Sequence, residues 1–296
     1  MSTRPTKRYS RGWNDLIIPK AHKLIVRSLV VNHFANKAAE QDDPDASHSS
    51  DLVSEKGKWL VILLHSVPGV GKTSTVECVA EFYGKLLFPI TCGDLGLTAS
   101  QVEEELFEKF HLAEKWNCVL LLDEADVFLA QRTRTDVKRN SLVSVFLRVL
   151  EYFSGIFFLT TSRVGAFDEA FKSRVHTQLY YSPLGWKQTK CIWETNMKRL
   201  KEKKDRRKEK MIIDERAIFA YTKEHYDETY RHKANWNGRQ IRNACQTATA
   251  MAEYDALVKT NKRKDDIKKS AQLLTGFMPT EPILKIDHFK TIFKAT

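Results

Sequence analysis

The sequence predicts an α/β protein: a three-layer α/β/α core around a five-stranded parallel sheet, followed by a small helical domain. Three observations carry this. An apolar run at residues 59–64 passes through a glycine-containing turn straight into a helical pattern. Four further strand-like runs follow, alternating with helical stripes, as parallel strands joined by crossover helices require. Beyond Pro183 the pattern becomes helical.

In chain order, residues 1–15 are polar and expected to be loose, and a helix is expected over 16–37 after Pro19. The stretch AAEQDDPDASHSSDLVSEKG, residues 38–57, reads as a polar connection. Strands are expected at 58–64, 86–91, 118–122, 155–161 and 175–181. Between them Val102, Leu106, Phe110 and Ala113 form one apolar helical stripe, and Leu142, Val145, Phe146, Val149, Leu150 and Phe153 form another. Past Pro183, helices are expected at 186–200 and 212–226, separated by a basic run. A third follows Asn237-Gly238, with Ile241, Ala244, Cys245, Ala248 and Met251 on one face. This divides the chain into an amino-terminal segment (1–57), an α/β domain (58–183) and a small helical domain with a basic insert (184–296).

The turn after the first strand reads Ser66-Val67-Pro68-Gly69-Val70-Gly71-Lys72-Thr73-Ser74. Strand, glycine-rich turn and helix in succession form a phosphate-binding loop. Glycines let consecutive N–H groups curl around phosphate oxygens, and the helix N-terminus adds its positive dipole. Lys72 has the reach for the β- and γ-phosphates, and the Thr73 hydroxyl can ligate Mg²⁺. Ser66 stands where the pattern opens with glycine; a serine fits there as long as its φ stays negative.

The third strand ends in Asp123 and Glu124. A buried strand running into adjacent acids points to chemistry at its tip: Asp123 for the Mg²⁺ shell, Glu124 to polarise the attacking water. The fourth strand ends in Thr160-Thr161-Ser162-Arg163, where Thr161 or Ser162 is placed to bond the γ-phosphate or the water. Arg174, before the last strand, has the chemistry of an arginine finger for a neighbouring subunit's site. Arg239 opens a helix of the small helical domain and is a candidate reporter of the γ-phosphate.

The net charge is +11, and residues 198–210 (KRLKEKKDRRKEK) hold nine basic and three acidic side chains. Such a run fits a nucleic-acid or membrane-surface patch, or a solvated helix. No aromatics interleave with the charges, which favours the solvated helix. The five cysteines lack paired spacing, which points to reduced thiols in an intracellular compartment, cytoplasmic or nuclear. No Cys/His cluster suggests zinc, and no apolar run reaches the length of a membrane span.

Several blocks together resemble the AAA+ ATPase superfamily, and within it a group of fungal AAA-domain proteins: residues 59–73, 121–129, 146–152, 167–171 and 237–244. The segment 12–19 resembles one that packs near the adenine in such proteins. The resemblance implies the P-loop NTPase fold with strand order 5-1-4-3-2, ATP and Mg²⁺ as ligands, and assembly into homo- or hetero-oligomers with hydrolysis at subunit interfaces. It assigns Lys72 and Thr73 to the Walker A motif, Asp123 and Glu124 to Walker B, Ser162 to sensor 1, Arg174 to the finger and Arg239 to sensor 2. The chain departs from the pattern at Ser66, at Val67 in place of proline, and at Ser162 in place of asparagine. It also lacks an aromatic at 92–97, where translocating relatives grip polypeptide. The expected function is ATP hydrolysis coupled to work on a macromolecular partner. The alternatives are an ATP-binding scaffold with weak hydrolysis and a nucleic-acid-associated ATPase.

Overall fold

The computed structural model describes residues 10–42, 59–131, 136–162, 167–207, 209–230, 234–260 and 281–295. The polar connection at 43–57, Lys58, Arg163 and the basic residues at 261–269 lie outside them. The chain separates into two compact units, Met1–Pro183 and Leu184–Thr296.

The first unit is built on five parallel strands: β1 (Leu60–His65), β2 (Leu87–Thr91), β3 (Val119–Asp123), β4 (Ile156–Thr161) and β5 (Thr177–Tyr180). Their order is β2-β3-β4-β1-β5, the 5-1-4-3-2 arrangement. The centre of the sheet is apolar on both faces, as crossover helices demand; every residue of β4 is buried, and so are the first five of β1. The registers align the strand ends. His65 pairs with Thr161, Leu122 with Leu159, and Thr91 with Asp123. The functional side chains therefore gather along one edge, at the carboxyl ends of the strands.

The crossovers of this unit are α3 (Lys72–Phe82), α4 (Ala99–Lys115), the short α5 (Asp126–Leu129), α6 (Val137–Leu150) and the single-turn α7 (Glu169–Lys172). On α4 the expected stripe of Val102, Leu106, Phe110 and Ala113 is the buried face, and the helix starts at a capping box between Thr98 and Gln101. On α6 Val143 and Leu147 join Phe146, Val149 and Leu150 in the core, while Leu142 and Val145 are only partly buried. Aromatic rings tie the helices to the sheet: Phe110 lies 4.6 Å from Phe153 and 5.6 Å from Phe157, and Phe128 stacks on Phe146 at 4.8 Å.

Two expectations at the amino terminus are corrected. Residues 10–15 are not loose: they form α1 (Ser10–Asp15), which packs on α3. Trp13 is buried against Phe82, with ring centres 5.9 Å apart. The second helix, α2 (Lys20–Asp42), runs five residues past the expected end at 37 and into the polar stretch. The added residues, Ala38-Ala39-Glu40-Gln41-Asp42, include strong helix formers, and polarity alone does not end a helix.

The second unit contains α8 (Trp186–Arg206), α9 (Glu215–Tyr230), α10 (Gly238–Thr260) and α11 (Ile286–Ala295), together with a two-residue parallel pair, β6 (Ile212–Ile213) and β7 (Ile283–Leu284). Its core joins Trp193, Met197, Ile218, Ile241, Ala244, Cys245, Ala248, Leu284 and Phe289; Ala252, rather than Met251, completes the buried row on α10. The basic run does not interrupt the helix at 200. Its residues 198–206 form the last turns of α8, where Lys, Arg and Glu have good helix propensity and cations suit the negative end of the dipole. Lys204 is drawn under the helix end between Glu209 (2.5 Å) and Glu253 (2.6 Å). Burial alone would lower its pKa; the two carboxylates outweigh that and raise it.

Candidate functional site

The loop between β1 and α3 is shaped by Gly69 (φ 78°) and Gly71 (φ 105°), both left-handed. No heavy atom lies within 4 Å of a Cβ built on Gly71, so backbone conformation, not crowding, excludes a side chain there. Ser66 is not among the residues with positive φ, which explains how serine replaces the opening glycine. It is fully buried, its N–H donates to the Thr161 carbonyl at 3.2 Å, and its hydroxyl has no hydrogen-bond partner. Val67 and Pro68 are exposed, Val70 is buried, and Ser74 is exposed in the first turn of α3.

The Lys72 ammonium folds back over the loop onto the carbonyls of Ser66 (2.9 Å) and Val67 (3.0 Å). Thr73 points the other way, its hydroxyl 3.2 and 3.3 Å from the two carboxylate oxygens of Asp123. No side chain caps the N-terminus of α3. Left-handed glycines, an ammonium and hard oxygen donors form a set that fits a magnesium nucleotide. Thr73 and Asp123 would hold the metal, and the loop backbone with Lys72 the phosphates.

Glu124 follows Asp123 with φ 56°, a left-handed conformation that costs a non-glycine residue roughly 1 kcal/mol. Its side chain is exposed, while its backbone is held on both sides. The N–H donates to the Thr160 hydroxyl at 3.1 Å, and the carbonyl accepts from Cys92 Sγ at 3.2 Å. At the tip of β4 the two candidates separate. The Thr161 hydroxyl is buried and donates to Asp126, whereas Ser162 is half-buried at the rim.

Sequence reasoning missed two groups here. The Thr75 hydroxyl donates to the Gly71 carbonyl at 2.8 Å and accepts from the Tyr181 hydroxyl at 3.0 Å. Tyr181 follows β5, so this chain of bonds ties the loop helix to the neighbouring strand. Burial pushes the Tyr181 phenol up to about 12, which keeps it a neutral donor. Neither residue belongs to a motif, and only the fold brings them together.

Arg174 does not join the group within one subunit. It sits in the turn before β5, toward the amino ends of the strands. Its guanidinium donates to Glu151 through Nε (3.0 Å) and Nη2, and to the Ala170 carbonyl through Nη1 (2.8 Å). Arg239 stands exposed in the first turn of α10 in the second unit, beside the reciprocal cap of Asn237 and Gln240.

A parallel sheet in this order, with a glycine loop feeding a helix and a Thr–Asp pair beside it, defines a P-loop nucleotide-binding module. Residues 62–183 match the model of the ATPase family associated with various cellular activities (AAA), and residues 184–295 match that of the fungal AAA+ ATPase lid domain. The chain belongs to the AAA+ superfamily and carries a lid of the fungal type. Among solved structures, the AAA domain of FIGL-1 in complex with ADP is similar at 19% identity with a TM-score of 0.59, covering 96% of this chain and 84% of that one. A second FIGL-1 AAA domain structure gives 19% identity and a TM-score of 0.61, covering 96% and 83%. At this identity the likeness speaks for the fold. No curated protein matches the chain. Among the described residues, no helix is long and apolar enough to cross a membrane.

Proposed function

We propose that this protein binds ATP with Mg²⁺ and hydrolyses it, coupling turnover to work on a macromolecular partner. The observation that carries the reading is the Thr73–Asp123 pair at 3.2 Å beside a loop whose two glycines are left-handed and whose lysine already faces inward. In this reading the loop amides and Lys72 grip the triphosphate. Thr73 and Asp123 orient the metal shell, and Glu124 holds the attacking water as base. Ser162 steadies the water or the γ-phosphate through its hydroxyl. Bound Mg²⁺ supplies charge neutralisation on the phosphate oxygens. Arg174 serves a neighbouring subunit in an oligomer, which agrees with its place away from its own loop. Arg239 reports nucleotide state through the lid. ATP rather than GTP follows from the family.

The second reading is a nucleotide-binding scaffold with weak turnover. The Ser162 hydroxyl, shorter than the asparagine of the family pattern, and the engagement of Arg174 by Glu151 favour it. Steady-state hydrolysis by the purified chain, at concentrations spanning its assembly, separates the two. Glu124→Gln is expected to keep ATP affinity while turnover falls roughly 100-fold or more, since general-base assistance is worth about 10²–10⁴. Wild-type turnover at background level would select the scaffold. Unchanged turnover in Glu124→Gln would remove that residue from its role.

A further inference from the structure

We propose that Thr160 is a positioning residue for both acids at the tip of β3: one hydroxyl sets the orientation of the Asp123 carboxylate and the backbone of Glu124 together. The proposal rests on the roles given above to Asp123 and Glu124, and it concerns a residue that no motif marks.

Thr160 lies on β4 and is 1% exposed. A threonine buried near the carboxyl end of a strand that is covered on both faces must have its hydroxyl satisfied. Here both of its capacities are used, in opposite directions. Its proton goes to Asp123 Oδ1, and its oxygen accepts the N–H of Glu124 at 3.1 Å. Its main-chain carbonyl accepts the next N–H, that of Ala125, at 2.8 Å. A single residue thus clamps two successive amides of the turn in which Glu124 is left-handed.

The bond to Asp123 is selective. Thr73 donates to both oxygens of that carboxylate, at 3.3 Å to Oδ1 and 3.2 Å to Oδ2, and so does not choose between them. Thr160 addresses Oδ1 alone, so Oδ2 keeps the Thr73 contact and is the oxygen that would face a bound metal's shell. The neighbouring hydroxyl cannot substitute, because Thr161 donates to Asp126. Partners behind a metal-binding group fix its orientation, and losing one costs metal affinity or rate without removing a ligand.

The test uses the full chain with Thr160→Val, which keeps the shape of the side chain, and Thr160→Ser, which keeps the hydroxyl. Three quantities are measured: ATP affinity in excess chelator, the Mg²⁺ concentration for half-maximal ATP binding and turnover, and kcat. For Thr160→Val the Mg²⁺ half-saturation is expected to rise and kcat to fall, each by about 10-fold or more, with chelated ATP affinity within about threefold of wild type. Thr160→Ser is expected to restore most of both. A Val variant with wild-type Mg²⁺ requirement and kcat would overturn the proposal. So would a Ser variant as impaired as Val, or an equal loss of ATP affinity with and without metal. If Thr160→Val does not fold, Thr160→Ala is measured against the same outcomes. Should wild-type turnover be absent, the hydrolase reading fails, while the Mg²⁺ requirement for ATP binding still decides the role of Thr160.

Discussion

At the scale of single residues, the site is set by backbone conformation before side-chain chemistry. Gly69 and Gly71 are required where φ is positive, and Ser66 is tolerated where it is not. Glu124 is the informative exception: a left-handed acid held by Thr160 and Cys92. Strain kept in place by neighbouring bonds is common where a side chain must be aimed. Lys72, Thr73, Asp123 and Glu124 are legible because strand–turn–helix and strand–acid patterns are local. Thr160, Thr75 and Tyr181 are not, since their bonds depend on which strands become neighbours. A titrating residue away from the loop gives a separate prediction. Burial lowers the His33 pKa from 6.5 to about 4, assisted by Lys37, His176 and Lys85. Unfolded His33 then takes up a proton that the folded form refuses, so stability falls as pH drops from 6.5 toward 4 and is unaffected by this group above that window. Denaturant unfolding of His33→Gln should show a shallower loss across that range. An unchanged slope would mean that His33 is solvated in the folded protein.

At the scale of elements, the strands are found within two residues of where the sequence places them; for β1, β3 and β4 the reason is that a strand buried on both faces is a continuous hydrophobic word, whereas the edge strands β2 and β5 are only partly buried. The expectations miss short elements and also α11, although Ile286, Phe289, Ile292 and Phe293 recur there at helical spacing. Helix α1 is anchored by the buried Trp13, which packs on Phe82 of α3. The Trp13 carbonyl also accepts Lys23 Nζ at 2.9 Å, which fixes α1 to the start of α2. Trp13→Ala should therefore lower stability by about 3 kcal/mol, the lower end for removing a large buried aromatic. Urea unfolding measures it, and a loss under about 0.5 kcal/mol, the range of an ordinary surface change, would mean that α1 is not docked on α3. The β6–β7 pair is invisible in the sequence because two residues per strand carry no alternation, and its partners stand 71 positions apart, Ile212 with Ile283.

At the scale of the whole molecule, spacing and composition gave the class, while strand order came only through the family resemblance. Nothing in the spacing of five apolar runs says that the fourth lies between the first and the third. Part of the basic run is paired within the second unit: Lys201 with Glu215, Lys210 with Glu281, and Lys204 with two glutamates. The exposed pairs, Lys201–Glu215 and Lys210–Glu281, add little stability. The account stands on the loop between β1 and α3 gripping a magnesium nucleotide. Calorimetric titration of ATP with Mg²⁺ into the full chain and into Lys72→Ala tests this most directly. The account predicts saturable, magnesium-dependent binding by the wild type, at least about 100-fold weaker in a variant of equal thermal stability, the cost of losing charge-assisted bonds. Absence of binding by folded wild-type protein, or equal binding by Lys72→Ala, would contradict it.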